Sequence, residues 1–336
     1  MPDSATTRLI LRIAAGGALA GAVYSTFAHD APLTGAVIGF VNGAAIPWLE
    51  LVVLRGPAGV SLRRLPFLAL IGVRSALYLA LVVLINLIFV PLLNGLSVVG
   101  AVQARDIVFA LVASVIGSLL LGVDDLLGRG VLIAFVAGRY HRPRVEERAL
   151  LFIDLCASTA TAERLGGQRF LDFLNAVFAD LSAAIAENGG EIHKYVGDEI
   201  IATWRLEASR NDAGPVRAEL SARRRLAAGA GAYMRDFGFV PDFRAALHCG
   251  EVVVGELGSL KKEIALIGDA MNTAARILDA CRELGLPALA SSALLARLDG
   301  LPDAVAPRAM APLPLRGKAE PLDLFALEER EPVKIS

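Results

Sequence analysis

Hydrophobic and polar positions divide the chain into two unlike halves. Residues 1–138 consist mainly of Ala, Leu, Val, Ile and Gly, whereas residues 139–336 alternate apolar with charged positions as an ordinary globular domain does. The apolar half contains four stretches long enough to cross a bilayer, which takes about 20 residues. They run roughly over 10–28, 33–54, 67–93 and 106–123. We therefore predict an all-α transmembrane bundle over residues 1–125.

Positive charges predict how these spans are oriented. Arginines precede the first span, separate the second from the third and follow the fourth, at Arg8, Arg12, Arg55, Arg63, Arg64, Arg139, Arg142, Arg144 and Arg148. Because cytoplasmic loops are rich in Lys and Arg, both termini and the charged half are expected in the cytoplasm. A signal peptide cleaved near Thr26-Phe27-Ala28 is the alternative for the first span, and it leaves the charged half on the same side.

Small and charged residues within the apolar half bear on its packing. Glycines recur every fourth position, at Gly17 and Gly21 and again at Gly35, Gly39 and Gly43. Such ridges let helices approach closely, either within one chain or between two copies. Glu50 and Arg74 lie in or near spans, and we expect each to snorkel to the interface. Pairing with each other, or lining a ligand pocket, are the alternatives.

The segment that joins the halves is too short for another span. Residues 126–138 follow Asp124-Asp125 and include Arg129, so we predict a cytoplasmic coupling helix within a connecting segment over 126–148. A plain linker that ends at Pro143 is the alternative.

The charged half mixes strand and helix patterns. We predict strands at 149–154, 190–196, 199–204, 243–249, 251–255, 287–291 and 313–327, and helices at about 161–187, 215–236 and 270–284. Glycines at the ends of helices support these boundaries. The mixture predicts an α+β sandwich with a mostly antiparallel sheet over 149–328, followed by a tail at 329–336.

Charge and cysteine content narrow the possible partners. The formal net charge is -1, and there is no basic stripe with interleaved aromatic residues, so a nucleic-acid partner is not expected. Cys156, Cys249 and Cys281 show no metal-ligand spacing, which favours a reducing compartment over a disulfide framework.

Two carboxylates stand at the ends of predicted strands. Asp198 lies in a Gly-Asp turn between two apolar runs, and Asp154 ends the run Leu150-Leu151-Phe152-Ile153. The small polar segment Cys156-Ala157-Ser158-Thr159 follows the second carboxylate. Two carboxylates beside a phosphate-sized loop suit a site that holds Mg²⁺ against a nucleoside triphosphate.

Five motifs in register resemble those of class III nucleotidyl cyclase domains. They are Phe152-Ile153-Asp154-Leu155, His193-Lys194-Tyr195-Val196-Gly197-Asp198, Leu247-His248-Cys249-Gly250-Glu251-Val252, Ile267-Gly268-Asp269-Ala270-Met271-Asn272-Thr273-Ala274-Ala275-Arg276 and Leu315-Arg316-Gly317-Lys318. The resemblance implies a ferredoxin-like α+β catalytic domain. The apolar half, with its four spans and its final segment Gly138-Arg139-Tyr140-His141-Arg142-Pro143, is also similar to that of bacterial members. Those members are anchored in the inner (cell) membrane and contact its lipid.

The resemblance implies an adenylate cyclase, which converts ATP to 3′,5′-cyclic AMP and pyrophosphate. Two metal ions per site, Mg²⁺ or Mn²⁺, would be bound by Asp154, Asp198 and the Leu155 carbonyl. Asn272 would orient the ribose, and Arg276 would stabilise the charge that develops on the α-phosphate.

The resemblance also assigns substrate contacts. The loop to Ser158 and Thr159 would offer backbone N–H groups to the phosphates, and Arg316, or alternatively Lys318, would hold the terminal phosphates. Lys194 would hydrogen-bond the adenine ring. Each residue taken alone also has a structural interpretation, such as turn chemistry for Asp198 or a helix cap for Asp154.

One position departs from the family pattern. Many members carry Asp or Thr three residues before the Gly of the Ile-Gly-Asp motif as a second contact to adenine, and here that residue is Ala265. A guanylate or dual-specificity cyclase is therefore one alternative. A nonenzymatic membrane receptor or scaffold with a cyclase-like fold is another. In this family the metal pair and the Lys/Asn/Arg set come from opposite subunits, so a homodimer through both catalytic and transmembrane domains is expected.

Overall fold

The computed structural model of the chain contains two units, Met1–Leu132 and Ile133–Ser336. It describes residues 4–28, 31–54, 59, 62, 65–94, 104–127, 138, 140–206, 212–260, 262–312 and 321–330.

The first unit consists of long apolar helices. They are α1 (Ser4–Ala28), α2 (Pro32–Trp48), which continues into a π-helical segment (Leu49–Leu54), α3 (Phe67–Asn94) and α4 (Ala104–Leu127). Four segments are long and apolar enough to cross a membrane, at Ile10–Ala28, Pro32–Leu54, Phe67–Leu93 and Ala104–Val123. The four spans predicted from the sequence agree with them to within a few residues. The first residues of the predicted coupling helix, Leu126 and Leu127, extend α4, and residues 128–137 lie outside the described part of the chain.

The glycine ridges bring α1 and α2 together within one chain. A Cβ atom at Gly21 would lie 2.1 Å from the carbonyl oxygen of Gly35, and one at Gly39 would lie 2.1 Å from that of Gly17. Real Cβ atoms do not approach a carbonyl oxygen so closely, so these positions accept hydrogen alone. Of the two uses that the ridge allowed, the structure has the intrachain one.

A buried ion pair lies inside the helical unit. Arg74 Nη2 is 3.1 Å from Glu50 Oε1, and the hydroxyl of Tyr78 donates to Glu50 Oε2 at 2.5 Å. Glu50 and Arg74 are 2% and 3% exposed. The expectation that each snorkels outward was wrong. Both side chains lie at buried positions between apolar helices. There the opposite charge and the hydroxyl of Tyr78 satisfy them in place of water.

The second unit is built on one sheet. Its strands are β1 (Arg144–Leu155), β2 (Glu191–Val196), β3 (Glu199–Arg205), β4 (Phe243–Leu257), β5 (Glu263–Ile267), β6 (Ala288–Ser291), β7 (Val305–Ala309) and β8 (Leu324–Glu329). The order is β2-β3-β1-β4-β6-β8-β7, and β5 also pairs with β4. Pairing is antiparallel except between β4 and β6. The predicted α+β, mostly antiparallel fold is therefore confirmed.

Helices cover both faces of this sheet. They are α5 (Ser158–Leu165), α6 (Gly167–Glu187), α7 (Gly214–Ala228), α8 (Ala230–Phe237), α9 (Asp269–Leu284) and α10 (Ser292–Arg297). Side chains of β1 alternate between the faces. Leu151 and Ile153 pack with α6 and α7, whereas Leu150 and Phe152 pack with α9. The next position on the α9 face is Asp154, so the alternation places a carboxylate where the apolar core ends.

Several predicted boundaries changed. The helix expected at 161–187 is interrupted at Gly166, whose φ is 75°, and that at 215–236 is interrupted at Gly229. The strands expected at 243–249 and 251–255 form a single strand, β4. β1 begins at Arg144, within the segment predicted as a linker, and pairs there with Val254. The predicted strand at 313–327 falls partly outside the described residues, and its end belongs to β8.

Three short elements were not predicted, namely β5, α10 and β7. They are too short to show a clear apolar period in the sequence.

The α1–α2 contact predicts unequal effects of the same substitution along α1. Gly21→Ala forces the two backbones apart and should destabilise the helical unit by roughly 1–3 kcal/mol. Gly16→Ala is the matched control, because a Cβ there meets nothing within 4 Å. That change should be neutral or slightly stabilising, since Ala favours a helix over Gly by about 1 kcal/mol. Thermal unfolding of the full-length protein in detergent measures both, and equal melting temperatures would contradict the close contact.

Candidate active site

The two predicted carboxylates meet at one end of the sheet. Asp154 is the penultimate residue of β1, and β3 lies beside β1 with Glu199 directly opposite Asp154. Asp198 occupies the turn between β2 and β3, next to Gly197, whose φ is 63°. Glycine takes this left-handed conformation without the strain that a Cβ would cause. The hairpin β2–β3 therefore delivers Asp198 to the end of β1, as the sequence predicted.

The electrostatic setting of Asp154 is dominated by burial. Asp154 is 8% exposed, and this burial raises the pKa of its carboxyl group. The negative charge of Asp198 raises the pKa further, whereas the guanidinium of Arg282 lowers it. Arg282 Nη2 donates to Asp154 Oδ2 at 2.8 Å. The pKa of Asp154 is raised overall, so a nearby positive charge would stabilise its ionised form.

Glu199 adds a third carboxylate that the sequence reasoning missed. Burial raises the pKa of Glu199 to about 7, and the charges of Asp154, Asp198 and Asp279 contribute further in that order. The signal in the sequence was the acidic residue directly after Asp198. Because opposite residues of paired strands project to the same face, Glu199 and Asp154 form a like-charge pair, which is destabilising without a cation.

These carboxylates fit an open metal site more than a closed one. In the described part of the chain, no group of three or more His, Cys, Asp and Glu side chains has the arrangement of a metal cage. Mg²⁺, however, commonly uses one or two protein carboxylates and completes its shell with water and substrate phosphate oxygens. Asp154 and Asp198 repel each other, and Asp154 already attracts the positive charge of Arg282. The two carboxylates therefore meet that requirement. Leu155, the next residue, is the last of β1.

The polar loop after β1 begins a helix. The backbone N–H of Cys156 donates to the carbonyl of Asp242 at 2.9 Å, and Ala157 adopts a left-handed conformation with φ of 54°. Ser158 and Thr159 are the first residues of α5. Amide groups in a first helical turn lack partners inside the helix. The loop therefore puts N–H donors at Ser158 and Thr159, four and five residues beyond Asp154.

Lys194 has a partner that the sequence reasoning did not identify. Its Nζ lies 3.3 Å from Glu263 Oε1, and both side chains are about half exposed. Glu263 and Ala265 are two residues apart on β5, so their side chains lie on the same face of the strand. The structure thus joins Lys194 to the strand that carries Ala265, and supplies a carboxylate near the position where the family pattern has its second adenine contact.

Asn272 and Arg276 lie one turn apart on α9, the helix that also carries Asp279 and Arg282. Asn272 is exposed and Arg276 is half-buried. Among the contacts that the described residues make, the α9 side chain that reaches Asp154 is Arg282. Within the described residues of a single chain, Asp154 and Asp198 come together, whereas no contact joins them to Asn272 or Arg276. The two remaining predicted residues, Arg316 and Lys318, lie outside the described residues.

Comparisons with known proteins identify related sequences for the C-terminal unit. Residues 140–285 match the family model described as the adenylate and guanylate cyclase catalytic domain. The chain is 40% identical over 192 residues to "Adenylate cyclase 2" of Rhizobium meliloti (strain 1021), which covers 57% of this chain and 53% of the relative. It is 26% identical over 228 residues to "Adenylate cyclase 1" of the same strain, covering 66% of this chain and 32% of the relative. The chain therefore spans about half, or less, of the length of these relatives.

The fold also has a solved counterpart. A bacterial light-regulated adenylyl cyclase superposes with a TM-score of 0.55 at 19% sequence identity, covering 67% of this chain and 65% of that one. At this identity the likeness concerns the fold. Taken with the motifs, the carboxylate pair and the family match over 140–285, it leads to one assignment. Residues 140–285 match, in sequence and in fold, an adenylate and guanylate cyclase catalytic domain.

Proposed function

We propose that the protein is a membrane-anchored adenylate cyclase that converts ATP to 3′,5′-cyclic AMP and pyrophosphate. The observation that carries the proposal is the meeting of Asp154 and Asp198 at the end of β1. The relative named as an adenylate cyclase at 40% identity supports the choice of reaction. In this reaction the ribose 3′-oxygen attacks the α-phosphorus of the same molecule, so the protein mainly positions groups and stabilises charge.

Each predicted residue has a task in that reaction. Asp154, Asp198 and the Leu155 carbonyl would hold Mg²⁺ or Mn²⁺. Such ions, when bound, favour ionisation of the 3′-OH and neutralise the triphosphate. Backbone N–H groups at Ser158 and Thr159 would donate to phosphate oxygens.

Further residues orient the substrate and stabilise the transition state. Asn272 would orient the ribose, and Arg276 would stabilise charge on the α-phosphoryl group. Arg316 or Lys318 would hold the terminal phosphates.

The site is completed by a second copy of the chain. Asn272 is exposed on α9, and the contacts described for Asp154 reach α9 at Arg282 instead. A head-to-tail homodimer would bring Asn272, Arg276 and Lys194 of one chain to the carboxylates of the other. Apolar side chains that are about half exposed on β2, β4 and β5 support a partner on this part of the domain. They are Tyr195, Val196, Val253, Leu257 and Ile267.

The helical unit would anchor the enzyme in the inner membrane. Its helices are long and apolar enough to span, and large apolar side chains such as Leu19, Leu68 and Leu92 are at least 70% exposed. Exposed apolar surface on this scale suits lipid and not water. The arginines flanking the spans favour termini and a catalytic domain on the cytoplasmic side.

ATP is the proposed substrate because Lys194 offers donors to adenine N1. GTP is the alternative that Ala265 raises, since its methyl group cannot accept a hydrogen bond from the adenine amine. A nonenzymatic receptor is less well supported. Such a protein has no need to keep like charges together at the end of β1, where they cost stability.

Removal of one carboxylate should abolish turnover. In Asp198→Ala, cyclic AMP production from ATP and Mn²⁺ should fall at least about 100-fold, because one oxygen ligand of the metal site is lost. Asp303→Ala removes an exposed aspartate of a loop between α10 and β7 and should keep full activity. The assay is product formation by the purified full-length protein. Wild-type activity in Asp198→Ala would end the assignment.

Complementation tests whether the sites are shared. Asp154→Ala and Arg276→Ala chains should each be inactive alone. Mixed heterodimers should recover up to about one half of the activity per dimer, because one of two sites is then intact. Cyclic AMP formation after coexpression of two differently tagged chains measures this. If purified heterodimers stay inactive while wild-type heterodimers made in the same way are active, sharing of the sites is refuted.

Base selectivity should depend on Lys194. Lys194→Met should lower kcat/KM for ATP by roughly tenfold or more, since a charged hydrogen bond to the base is lost. The turnover of GTP should change less. Lys262→Met is the control, because Lys262 is a similarly exposed lysine that pairs with Glu256 at 3.2 Å. Parallel assays with both nucleotides give the ratio, and equal losses in the two variants would contradict the role of Lys194.

A further inference from the structure

Arg282 contacts the same carboxylate that a metal ion would need. Its guanidinium donates to Asp154 Oδ2 at 2.8 Å. The side chain of Asp154 is 11% exposed, whereas that of Arg282 is 58% exposed. The contact therefore joins a fixed, buried acceptor to a donor that extends from solvent. Because the arginine is open to solvent, another cation can replace it on the buried carboxylate.

The charges around Arg282 explain why it lies there. Hydrogen bonding and charge from Asp154 raise the pKa of Arg282, and Asp279 and Asp198 add to the shift. Glu199 is a further carboxylate in the same group. Arg282 supplies a single positive charge to this group. A divalent ion supplies two in a smaller volume and takes carboxylate oxygens directly as ligands.

We propose that Arg282 is the resident counter-ion of the metal site, which occupies Asp154 in the metal-free enzyme and is displaced when a divalent cation binds. The proposal rests on the proposed function in one respect, namely that Asp154 is a metal ligand. Both cations would compete for the carboxylate of Asp154, so the arginine would lower the apparent affinity for metal. It also keeps the carboxylate group together at the end of β1 while no metal is present. The metal concentration needed to fill the site would then depend on the strength of the contact between Arg282 and Asp154.

The test is direct binding of Mn²⁺, without turnover. Free Mn²⁺ is measured by electron paramagnetic resonance during titration of the full-length protein in detergent, with and without 3′-deoxy-ATP, which has no 3′-OH to react. In Arg282→Gln the apparent Kd for Mn²⁺ should fall roughly tenfold, because a charge-assisted hydrogen bond no longer competes. Arg282→Lys keeps a positive charge without the planar donor and should give an intermediate Kd.

Two controls separate competition from general charge. Arg225→Gln removes the same charge from another helix, where Arg225 pairs with Glu187, and should change the Kd less than twofold. In Asp154→Asn, which removes the competed ligand, adding Arg282→Gln should not tighten binding any further. An Arg282→Gln protein that elutes as wild type but binds Mn²⁺ with equal or lower affinity would overturn the proposal. Should that variant not fold, a Kd in Arg282→Lys that equals the wild-type value overturns it instead.

Failure of this inference differs from failure of the proposed function. Cyclic AMP production with an unchanged Kd in the Arg282 variants refutes the counter-ion and leaves the cyclase intact. No product from the wild-type protein, with a Kd that falls as expected, refutes the cyclase and leaves the counter-ion intact.

Discussion

The concentration of negative charge at the end of β1 constrains the whole catalytic unit. Asp154 lies where the apolar alternation of Leu150 and Phe152 stops, and strand pairing places Glu199 beside it. The β2–β3 turn adds Asp198. Burial, and after it the charges of Asp154 and Asp198, raise the pKa of Glu199 to about 7, so ionised carboxylates are unfavourable in this partly buried setting. Arg282 reaches in from α9 and supplies positive charge to this group. In the proposed enzyme, a metal ion would meet the same requirement for a cation.

The role of α9 follows from its position on the sheet. Its apolar side packs on β1 and β4 through residues such as Ala274 and Ile277. This packing leaves Asn272 exposed near one end and sends Arg282 to Asp154 near the other. Through Arg282, α9 contacts a carboxylate of its own chain. In the proposed dimer, Asn272 of the same helix would contribute to the site of the second copy. A rigid helix packed along a sheet can do both, because its two ends are far apart.

The helical unit faces a different constraint: in the proposed membrane setting, its apolar helices would associate without a hydrophobic driving force between them. Glycine ridges on α1 and α2 allow backbone contact. A Cβ atom added at Gly21 would lie only 2.1 Å from the carbonyl oxygen of Gly35. The ion pair of Glu50 and Arg74, with the hydroxyl of Tyr78, is buried inside the unit. Burial of a lone charge would be costly, so these three side chains are interdependent. Dispersion contacts and matched polar groups thus take the place of hydrophobic burial.

The sequence by itself determined the features that depend on local pattern. Long apolar runs defined the spans. A short apolar run that ends at Asp154, and a Gly-Asp turn between two apolar runs at Asp198, located the two carboxylates, because both features are written in neighbouring residues. The motifs in register also defined the cyclase fold.

Tertiary structure alone decided the long-range pairs. Arg282 is 128 positions from Asp154, and Glu263 is 69 positions from Lys194, so neither partner follows from a local pattern. The same holds for Glu50 with Arg74, whose pairing the sequence offered only as an alternative to separate snorkelling. Packing of the apolar faces determines which charged groups lose contact with water. Those groups then pair with one another, even when they are remote in sequence, because an unpaired buried charge is unfavourable.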